Sequence, residues 1–378
     1  MTDPWLPLAE LRTRTTQKWR TYPPDVLPLF VAEMDTGLAE PVVRAVTEAV
    51  ARGDCGYPIG TGYAEAFAVF AGRRWAWKPP VEATLLVPDV MAGLAEVLRA
   101  ATGPGDPIVV NDPVYPPFFE MIRHLGRTVV EVPLTPEHRL DLAALEAAYA
   151  RLRASGGRVA HLLCNPQNPT GTVHTRAELT ALAELAAAHE VRVVADEIHA
   201  PLVTGEYVPY LTVPGTADAV ALHSASKGWN LAGLKAALAV AGPAAVDELA
   251  ALPSTVPDGA SHIAVLAHTA AFAEATGWLD DLVAAVERNR ALLAELIAEH
   301  LPGVVHRPAP ATYLAWLDCR GTGLGDDPAA VFLERGRVAL VPGPAFGTSG
   351  AGHARLNLAT SPEILTEAVV RMARALRA

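Results

Sequence analysis

Several kinds of residue are scarce in this 378-residue chain. It has three cysteines, Cys55, Cys164 and Cys319, which are odd in number and far apart. Such spacing predicts neither a disulfide framework nor a zinc site. The 30 Lys and Arg residues are outnumbered by 41 Asp and Glu residues, and the formal net charge is −11. Because nucleic-acid-binding proteins usually carry a basic stripe, this balance argues against a nucleic-acid partner.

Long hydrophobic runs are also missing. Hydrophobic residues make up 51% of the chain, yet charged side chains interrupt every stretch before it reaches the roughly 20 apolar residues of a membrane helix. The first eight residues have neither the basic start nor the apolar core of a signal peptide. We therefore expect a cytoplasmic protein without a membrane partner. The histidines have no metal-ligand spacing, so no metal site is expected.

Helical and strand patterns alternate along the first two thirds of the chain. Helices are predicted at residues 37–52, 63–77, 90–102, 114–126, 141–155 and 175–190. Short apolar strands are predicted at residues 84–87, 107–111, 128–132, 158–164, 191–195, 219–223 and 236–241. This order is typical of a mainly parallel sheet covered by helices, so we predict an α/β fold with a seven-stranded sheet.

A second, smaller unit is expected after the sheet. Residues 259–300 have a helical pattern. Strand-like runs then follow at residues 304–307, 313–318, 338–341 and 355–358. Pro253, Pro257 and Gly259 mark the junction. We therefore predict a large domain at residues 41–258, followed by a connecting helix and a C-terminal α+β domain at residues 259–378.

The most informative stretch is residues 224–235, which reads Ser-Ala-Ser-Lys-Gly-Trp-Asn-Leu-Ala-Gly-Leu-Lys. It places Lys227 among small and hydroxyl side chains. An amine that is buried, or that lies beside a cation such as Lys235, loses part of its proton affinity and can attack an aldehyde. Taken alone, Lys227 would be an ordinary surface lysine, and only the neighbouring motifs favour a functional role.

Two further polar clusters lie at the ends of predicted strands. Residues 164–171 include Asn168, and residues 193–199 include Asp196 and His199. Open α/β sheets bind ligands at the carboxyl ends of their strands, so these clusters and Lys227 are predicted to form one site. A reactive lysine and a carboxylate that keeps a ring nitrogen protonated are requirements of pyridoxal 5'-phosphate chemistry. Asn168 is then the candidate donor to the ring hydroxyl of this cofactor.

The cofactor phosphate needs N–H donors and positive potential. The turn at Val90, Met91 and Ala92, where a strand passes into a helix, supplies both. A tight strand-to-helix connection without a ligand is the alternative. His199 has two interpretations as well: it tunes Asp196 or the ring through hydrogen bonds, or it is a buried structural histidine.

Motifs along nearly the whole chain resemble the fold type I aminotransferase superfamily and, within it, the MalY/PatB branch of cystathionine β-lyases and related carbon–sulfur lyases. The matching motifs are residues 28–35, 56–58, 111–119, 196–199, 312–318 and 354–359. The resemblance implies a large domain that binds pyridoxal 5'-phosphate and a smaller domain. It also implies that an N-terminal segment, residues 1–40, joins the small domain or the rim of the active site.

The resemblance implies cofactor contacts for individual residues. Ser224, Ser226 and Lys235 correspond to side chains that contact the phosphate, although many members of the superfamily have arginine in place of Lys235. Tyr115 corresponds to an aromatic ring that stacks on the pyridine. Tyr57 corresponds to a tyrosine that reaches the phosphate from a neighbouring subunit. The resemblance therefore implies a homodimer with shared active sites.

Arg355 is the candidate for holding the α-carboxylate of an amino-acid substrate, because a guanidinium makes two parallel hydrogen bonds to a carboxylate. A surface arginine is the alternative. Its motif, Ala-Arg-Leu-Asn-Leu-Ala, follows a glycine-rich segment and favours the functional role. Asn168 and Tyr115 are expected beside the bound substrate.

The predicted function is that of a carbon–sulfur β-lyase that cleaves L-cystathionine or a related cysteine thioether to a thiol, pyruvate and ammonia. Lys227 is the predicted catalytic residue, which removes the Cα proton. An aminotransferase that passes the amino group to a 2-oxo acid uses the same residues and is the alternative. Thr36, Trp229 and Ala311 depart from the family pattern, which leaves the substrate open. A non-enzymatic protein with a vestigial cofactor domain is disfavoured because the set of site residues is complete.

Overall fold

The computed structural model describes residues 4–377, so the first three residues and the last one of the predicted terminal segments lie outside it. The strands are β1 (Leu27–Pro28), β2 (Thr84–Val87), β3 (Pro107–Val110), β4 (Thr128–Glu131), β5 (Val159–Cys164), β6 (Val191–Asp196), β7 (Val220–His223), β8 (Ala237–Ala241), β9 (Val305–His306), β10 (Leu314–Asp318), β11 (Val338–Ala339), β12 (Val341–Pro342) and β13 (His353–Asn357).

Helices separate most of these strands. They are α1 (Leu8–Leu11), α2 (Gln17–Arg20), α3 (Glu40–Arg52), α4 (Gly62–Trp75), α5 (Val90–Ala101), α6 (Pro117–His124), α7 (Leu142–Ala154), α8 (Arg176–Ala188), α9 (Val246–Ala250), α10 (Thr255–Asp258), α11 (His262–Glu274), α12 (Thr276–His300), α13 (Pro328–Gly336) and α14 (Pro362–Arg377). Within residues 4–377, no helix is both long enough and apolar enough to pass through a lipid bilayer.

The central sheet has seven strands in the order β2-β8-β7-β6-β5-β3-β4. Strands β3 to β7 pair in parallel, and β8 is antiparallel to both of its neighbours. The predicted α/β fold with a mainly parallel seven-stranded sheet is therefore confirmed. Because parallel strands end at the same edge, Cys164 at the end of β5 lies in register with Asp196 at the end of β6.

Both faces of this sheet are buried, which explains why its central strands are continuous apolar runs. Successive side chains of a strand point to opposite faces. Leu162 accordingly packs in one hydrophobic cluster, while Leu163 packs in another on the opposite face. Val194 and Val193 of β6 divide in the same way. The sheet is thus a rigid support for the loops that follow its strands.

A second sheet, with four strands in the order β12-β13-β10-β9, forms in the C-terminal part of the chain. All of its pairs are antiparallel. Strand β1 pairs in parallel with β11, and this pairing brings the N-terminal segment to the C-terminal elements. The division of the chain at residues 40 and 258 stays a prediction.

The helical stretch predicted at residues 259–300 is two helices, α11 and α12, with a break at Ala275. Ala275 leaves the helical conformation, with φ −111° and ψ 26°. Its carbonyl accepts a hydrogen bond from the indole nitrogen of the fully buried Trp229 at 2.9 Å. A hydrogen bond from a distant tryptophan accompanies the break, and the helical pattern of the sequence does not show it.

A buried ion pair anchors the N-terminal segment. The Lys18 ammonium lies 2.8 Å from the Asp35 carboxylate, and both side chains are 1% exposed. Asp35 also accepts a hydrogen bond from the indole nitrogen of Trp19, while Lys18 donates to the carbonyl of Glu33. Each charge of the pair therefore has a further polar partner, which a buried ion pair requires in order to be tolerated.

Replacing Lys18 with methionine is expected to lower the free energy of unfolding by about 3–5 kcal/mol, because it leaves Asp35 buried without its counter-ion. Urea denaturation measures this change. The control is Arg44→Met, which breaks exposed pairs with Glu40 and Glu274 and is expected to change stability little. Equal stability of Lys18→Met and the unmodified protein would contradict the anchoring role.

Candidate active site

A cavity of about 380 Å³ lies beyond the carboxyl ends of β5, β6 and β7. Most of the residues that the sequence predicted for the site line this cavity. They are Val90, Met91, Tyr115, Asn168, Asp196, His199, Ser226, Lys227 and Lys235. The structure thus brings together side chains that are up to 145 positions apart in sequence, as measured from Val90 to Lys235.

Asp196 is the last residue of β6 and is buried. One of its carboxylate oxygens accepts a hydrogen bond from the N–H of Ile198 at 3.0 Å. Burial raises the pKa of Asp196 to about 6, although this N–H group and the Lys227 ammonium oppose the rise. A cation that contacted Asp196 directly would lower its pKa again, so the site is suited to a positively charged partner.

Lys227 lies in the loop after β7, and its ammonium donates to the carbonyl of Ala32 at 3.1 Å. Burial, followed by the positive charge of Arg355, lowers the pKa of Lys227 to about 8. The carboxylates of Glu33 and Asp196 oppose this shift. Near pH 8 a large fraction of the amine is therefore neutral and available as a nucleophile or base.

Arg355 lies in β13, where it pairs with Trp316 of β10 and Val341 of β12. Its guanidinium donates to the side-chain oxygen of Asn168 at 3.2 Å and to the carbonyl of Phe30 at 2.9 Å. Burial lowers the pKa of Arg355 to about 10, so it stays charged at neutral pH. Its Nε atom is buried and has no hydrogen-bond partner within residues 4–377.

Residues 30–34, called here the 30–34 segment, contribute Val31, Ala32 and Glu33 to one wall of the cavity. Each carbonyl of this segment accepts a hydrogen bond from a side chain elsewhere in the chain. The bonds are Arg355 to Phe30, Asn357 to Val31, Tyr313 and Lys227 to Ala32, Lys18 and Asn357 to Glu33, and Arg14 and Asn230 to Met34. The wall is therefore fixed by protein contacts alone.

The side chains Tyr313, Asn357 and Asn230 of this network were missed by the sequence reasoning. Tyr313 and Asn357 fall within quoted motifs, yet their partner is a backbone carbonyl more than 280 positions away. Asn230 follows Lys227 closely, and its positive φ of 60° was a feature that asparagine accommodates. The only feature of the sequence that could have indicated these three residues was the presence of polar side chains within otherwise apolar motifs.

The amino end of α5 forms another wall. Val90 and Met91 line the cavity in the first turn of this helix, where N–H groups have no acceptor within the helix. The carboxylate of Asp89 caps the helix by accepting from the N–H of Ala92 at 2.8 Å. It also forms an ion pair with Lys235 at 3.0 Å. The N–H of Ala92, predicted as a phosphate donor, is therefore already engaged by the protein.

Ser224 is likewise engaged within the protein. It is buried outside the cavity lining, and its hydroxyl donates to the carbonyl of Ala236 at 2.9 Å. The same hydroxyl oxygen accepts from the N–H of Ser226 at 3.1 Å. The geometry gives Ser224 a supporting place behind Ser226, which itself lines the cavity.

Two aromatic side chains complete the site. Tyr115 lines the cavity and meets Phe118 edge to face, with ring centroids 5.5 Å apart. His199 packs edge to face against Tyr313 with a centroid distance of 6.0 Å. Burial and the charges of Lys227 and Arg355 keep the pKa of His199 well below its ordinary value. His199 is therefore neutral at physiological pH.

Four of the predicted site residues do not line this cavity. Ala92 and Ser224 are engaged by protein partners, and Arg355 contacts the lining residue Asn168. The fourth, Tyr57, lies on the protein surface. Its side chain is 79% exposed, and the nearby Ile59 is 98% exposed. As for metals, residues 4–377 contain no group of three or more His, Cys, Asp or Glu side chains arranged to hold an ion.

Comparison with known proteins gives consistent matches over nearly the whole chain. Residues 25–372 match the model of the family "Aminotransferase class I and II". A Mycobacterium leprae protein named "Putative cystathionine beta-lyase" is 52% identical, with 98% of this chain and 97% of the relative covered. The "Cystathionine beta-lyase" of Corynebacterium glutamicum is 37% identical, with 98% and 99% covered.

Solved structures have the same fold. A crystal structure of a "putative plp-dependent beta-cystathionase" from Corynebacterium diphtheriae superposes with a TM-score of 0.93 at 35% identity and covers 100% of both chains. The similarity extends through both sheets and through the N-terminal segment that forms the cavity wall.

Removal of the Arg355 charge is expected to raise the pKa of the Lys227 amine from about 8 toward the ordinary lysine value of 10.5, because one cation disfavours another nearby. Competitive acetylation followed by mass spectrometry measures this pKa in the ligand-free Arg355→Met variant. Lys235→Met is the matched control. Lys235 also lowers the pKa of Lys227 but more weakly, so the rise should be smaller. An unchanged or lower pKa in Arg355→Met would contradict the coupling.

Proposed function

Because the chain belongs to the aminotransferase class I and II family, we propose that it is a pyridoxal 5'-phosphate-dependent carbon–sulfur β-lyase. Its proposed substrate is L-cystathionine or a related cysteine thioether. The observation that carries the proposal is the convergence of Lys227, Asp196 and Asn168 on one cavity, with Arg355 hydrogen-bonded to Asn168. The names of the relatives and of the solved structure favour the lyase over an amino-group transferase.

The residues of the cavity fit pyridoxal 5'-phosphate in charge and chemistry. Burial raises the pKa of Asp196 to about 6, and a neighbouring cation would stabilise its ionised form. The protonated pyridine nitrogen would be that cation. Lys227 supplies an amine for the aldehyde, and its pKa of about 8 leaves part of it neutral. The N–H groups of Val90 and Met91, which have no acceptor within α5, together with Lys235, would supply donors for the phosphate.

Further cavity residues orient the cofactor in this proposal. Tyr115 and Ser226 line the cavity. Tyr115 would stack on the pyridine, and Ser226 would add a hydroxyl to the phosphate site. The side-chain nitrogen of Asn168 makes no hydrogen bond within residues 4–377, because only its oxygen is engaged, by Arg355. This nitrogen is therefore available to the ring hydroxyl. His199 also lines the cavity and would position the cofactor.

Pyridoxal 5'-phosphate, when bound, supplies an aldehyde that takes up the substrate amine and a ring that accepts the electron pair of the broken Cα–H bond. Arg355 holds the substrate α-carboxylate and thereby fixes the direction of the Cα–H bond. Lys227 removes the Cα proton as a neutral amine. Asp196 keeps the proton on the pyridine nitrogen, which makes this electron pair easier to accommodate.

The subsequent bond cleavage defines the lyase. Loss of the Cα proton allows the Cβ–S bond to break, and the sulfur leaves with the bonding electrons as a thiolate. The remaining three-carbon enamine takes up water and gives pyruvate and ammonia. With L-cystathionine the departing thiol is homocysteine. An aminotransferase would instead retain the Cβ–S bond and need a 2-oxo acid as second substrate.

The cofactor-loaded protein is expected to release pyruvate from L-cystathionine over many turnovers without an added 2-oxo acid, as measured by coupled lactate dehydrogenase. Lys227→Ala is expected to lower kcat by about 10²-fold or more, because the base is lost. The exposed Lys78 provides the control, and Lys78→Ala should retain full activity. Amino transfer to a 2-oxo acid without pyruvate release would favour the aminotransferase instead.

We also propose a homodimer, supported by an exposed apolar surface on α3, on α4 and on the turn between them. Tyr57 and Ile59 project from the turn between α3 and α4. Further exposed apolar side chains on these two helices are Val43, Val50 and Val69. Burial of such a surface against a second copy removes apolar area from water. In this dimer, Tyr57 of each subunit would reach the phosphate site of its partner.

Mixing of two inactive variants tests the shared site. The Lys227→Ala and Tyr57→Ala homodimers are each expected to have little activity. A hybrid dimer contains one site with both substitutions and one site with neither. Refolding an equal mixture should restore about a quarter of the unmodified activity, since about half of the dimers are hybrids. Lack of recovery, or full activity of Tyr57→Ala alone, would argue against a shared site.

A cytoplasmic location is proposed as well. The cysteines Cys55, Cys164 and Cys319 are all free thiols, which is usual in a reducing compartment.

A further inference from the structure

One acidic side chain of the cavity has no role in the reaction described above. Three carboxylates line the cavity, those of Glu33, Asp89 and Asp196. Asp89 is paired with Lys235 and caps α5, and Asp196 accepts from the N–H of Ile198. The Glu33 carboxylate makes no hydrogen bond or ion pair in the part of the chain that the structure describes.

The position of Glu33 is fixed by its own backbone rather than by its side chain. Its carbonyl accepts from Lys18 at 3.1 Å and from Asn357 at 2.6 Å. The next residue, Met34, exchanges two hydrogen bonds with the side-chain amide of Asn230. Backbone hydrogen bonds therefore hold Glu33 at the cavity wall, and its carboxylate takes no part in them.

The charge of Glu33 acts on the reacting part of the cavity. It raises the pKa of Lys227 and does so more strongly than Asp196, the other carboxylate that acts on this lysine. It also raises the pKa of Tyr313. Because the Glu33 carboxylate is partly buried and unpaired, it attracts a positively charged group of a ligand bound in the cavity.

The substrate itself supplies only one candidate for that positive group. In the proposed reaction Arg355 binds the α-carboxylate of the substrate, and the cofactor aldehyde takes up its α-amine. A charge that remains must lie on the group attached to sulfur. An ammonium there would pair with Glu33, whereas an uncharged or purely anionic group would leave the carboxylate without a partner.

We propose that Glu33 selects cysteine thioethers whose leaving group carries an ammonium, through an ion pair between that ammonium and the Glu33 carboxylate. The inference rests on the proposed carbon–sulfur lyase function and specifies its substrate class. L-Cystathionine belongs to this class, because its homocysteine portion carries a distal ammonium.

A matched pair of substrates tests the ion pair. S-(3-carboxypropyl)-L-cysteine is L-cystathionine without the distal amine. The unmodified holoenzyme is expected to prefer L-cystathionine in kcat/KM by roughly 10- to 100-fold, the usual worth of a hydrogen bond to a charged group. Glu33→Gln should reduce this preference to about threefold or less, by lowering kcat/KM for L-cystathionine more than for the analogue. Glu33→Asp keeps the charge and should retain most of the preference.

The opposite results are equally clear. If Glu33→Gln changes kcat/KM for both substrates by the same factor, so that the preference is unchanged, then Glu33 acts only through Lys227 and does not select the substrate. If the unmodified enzyme shows no preference, the inference is overturned as well. Circular dichroism of each variant, together with the Glu33→Asp result, separates these outcomes from misfolding.

Equilibrium binding separates failure of this inference from failure of the proposed function. Calorimetry with the cofactor-loaded Lys227→Ala variant measures the affinities for both thioethers without turnover. Loss of the preference for L-cystathionine when Glu33→Gln is added supports the ion pair even where no pyruvate is formed. An unchanged preference overturns it even where pyruvate is formed.

Discussion

The site depends on the hydrogen bonding of one short stretch of backbone, the 30–34 segment. A backbone carbonyl buried without a donor is costly, so each of these carbonyls needs a partner. The partners come from the ends of the chain and from its middle: Arg355 and Asn357 on β13, Asn230 beside Lys227, and Lys18 near the amino terminus. The cavity wall therefore forms only when the N-terminal segment and both sheets are assembled.

The same assembly sets the charge states within the cavity. Burial disfavours every charge, and it moves the pKa of Asp196 up to about 6 and that of Lys227 down to about 8. Arg355 stays charged despite its lowered pKa of about 10, and it lowers the pKa of Lys227 further. The Arg355 charge thus favours the neutral form of the Lys227 amine, and in the proposed reaction the same charge would also hold the substrate carboxylate.

The sequence was informative wherever a local pattern determined the structure. Apolar runs predicted the seven strands, and polar residues at strand ends predicted that Asn168, Asp196 and Lys227 would meet at one edge. Local patterns could not show long-range hydrogen bonds. The break at Ala275, accompanied by a bond from Trp229, and the bonds that occupy Ser224 are of this kind. Local patterns could not single out Glu33 either. The feature that distinguishes it, a carboxylate in the cavity with no hydrogen bond or ion pair within residues 4–377, is visible only in the folded chain.

Charge outside the reacting core explains how one set of residues supports different reactions in this family. In the proposed reaction, Lys227 removes the Cα proton with the help of Asp196 and Arg355, whether or not the substrate carries a leaving group at Cβ. The outcome is therefore decided by which amino acid enters the cavity. A carboxylate such as Glu33, placed on the wall and distinct from the proton-transfer groups, can change substrate choice while leaving the chemistry intact. Selection of a sulfur substituent then commits the common first step to elimination.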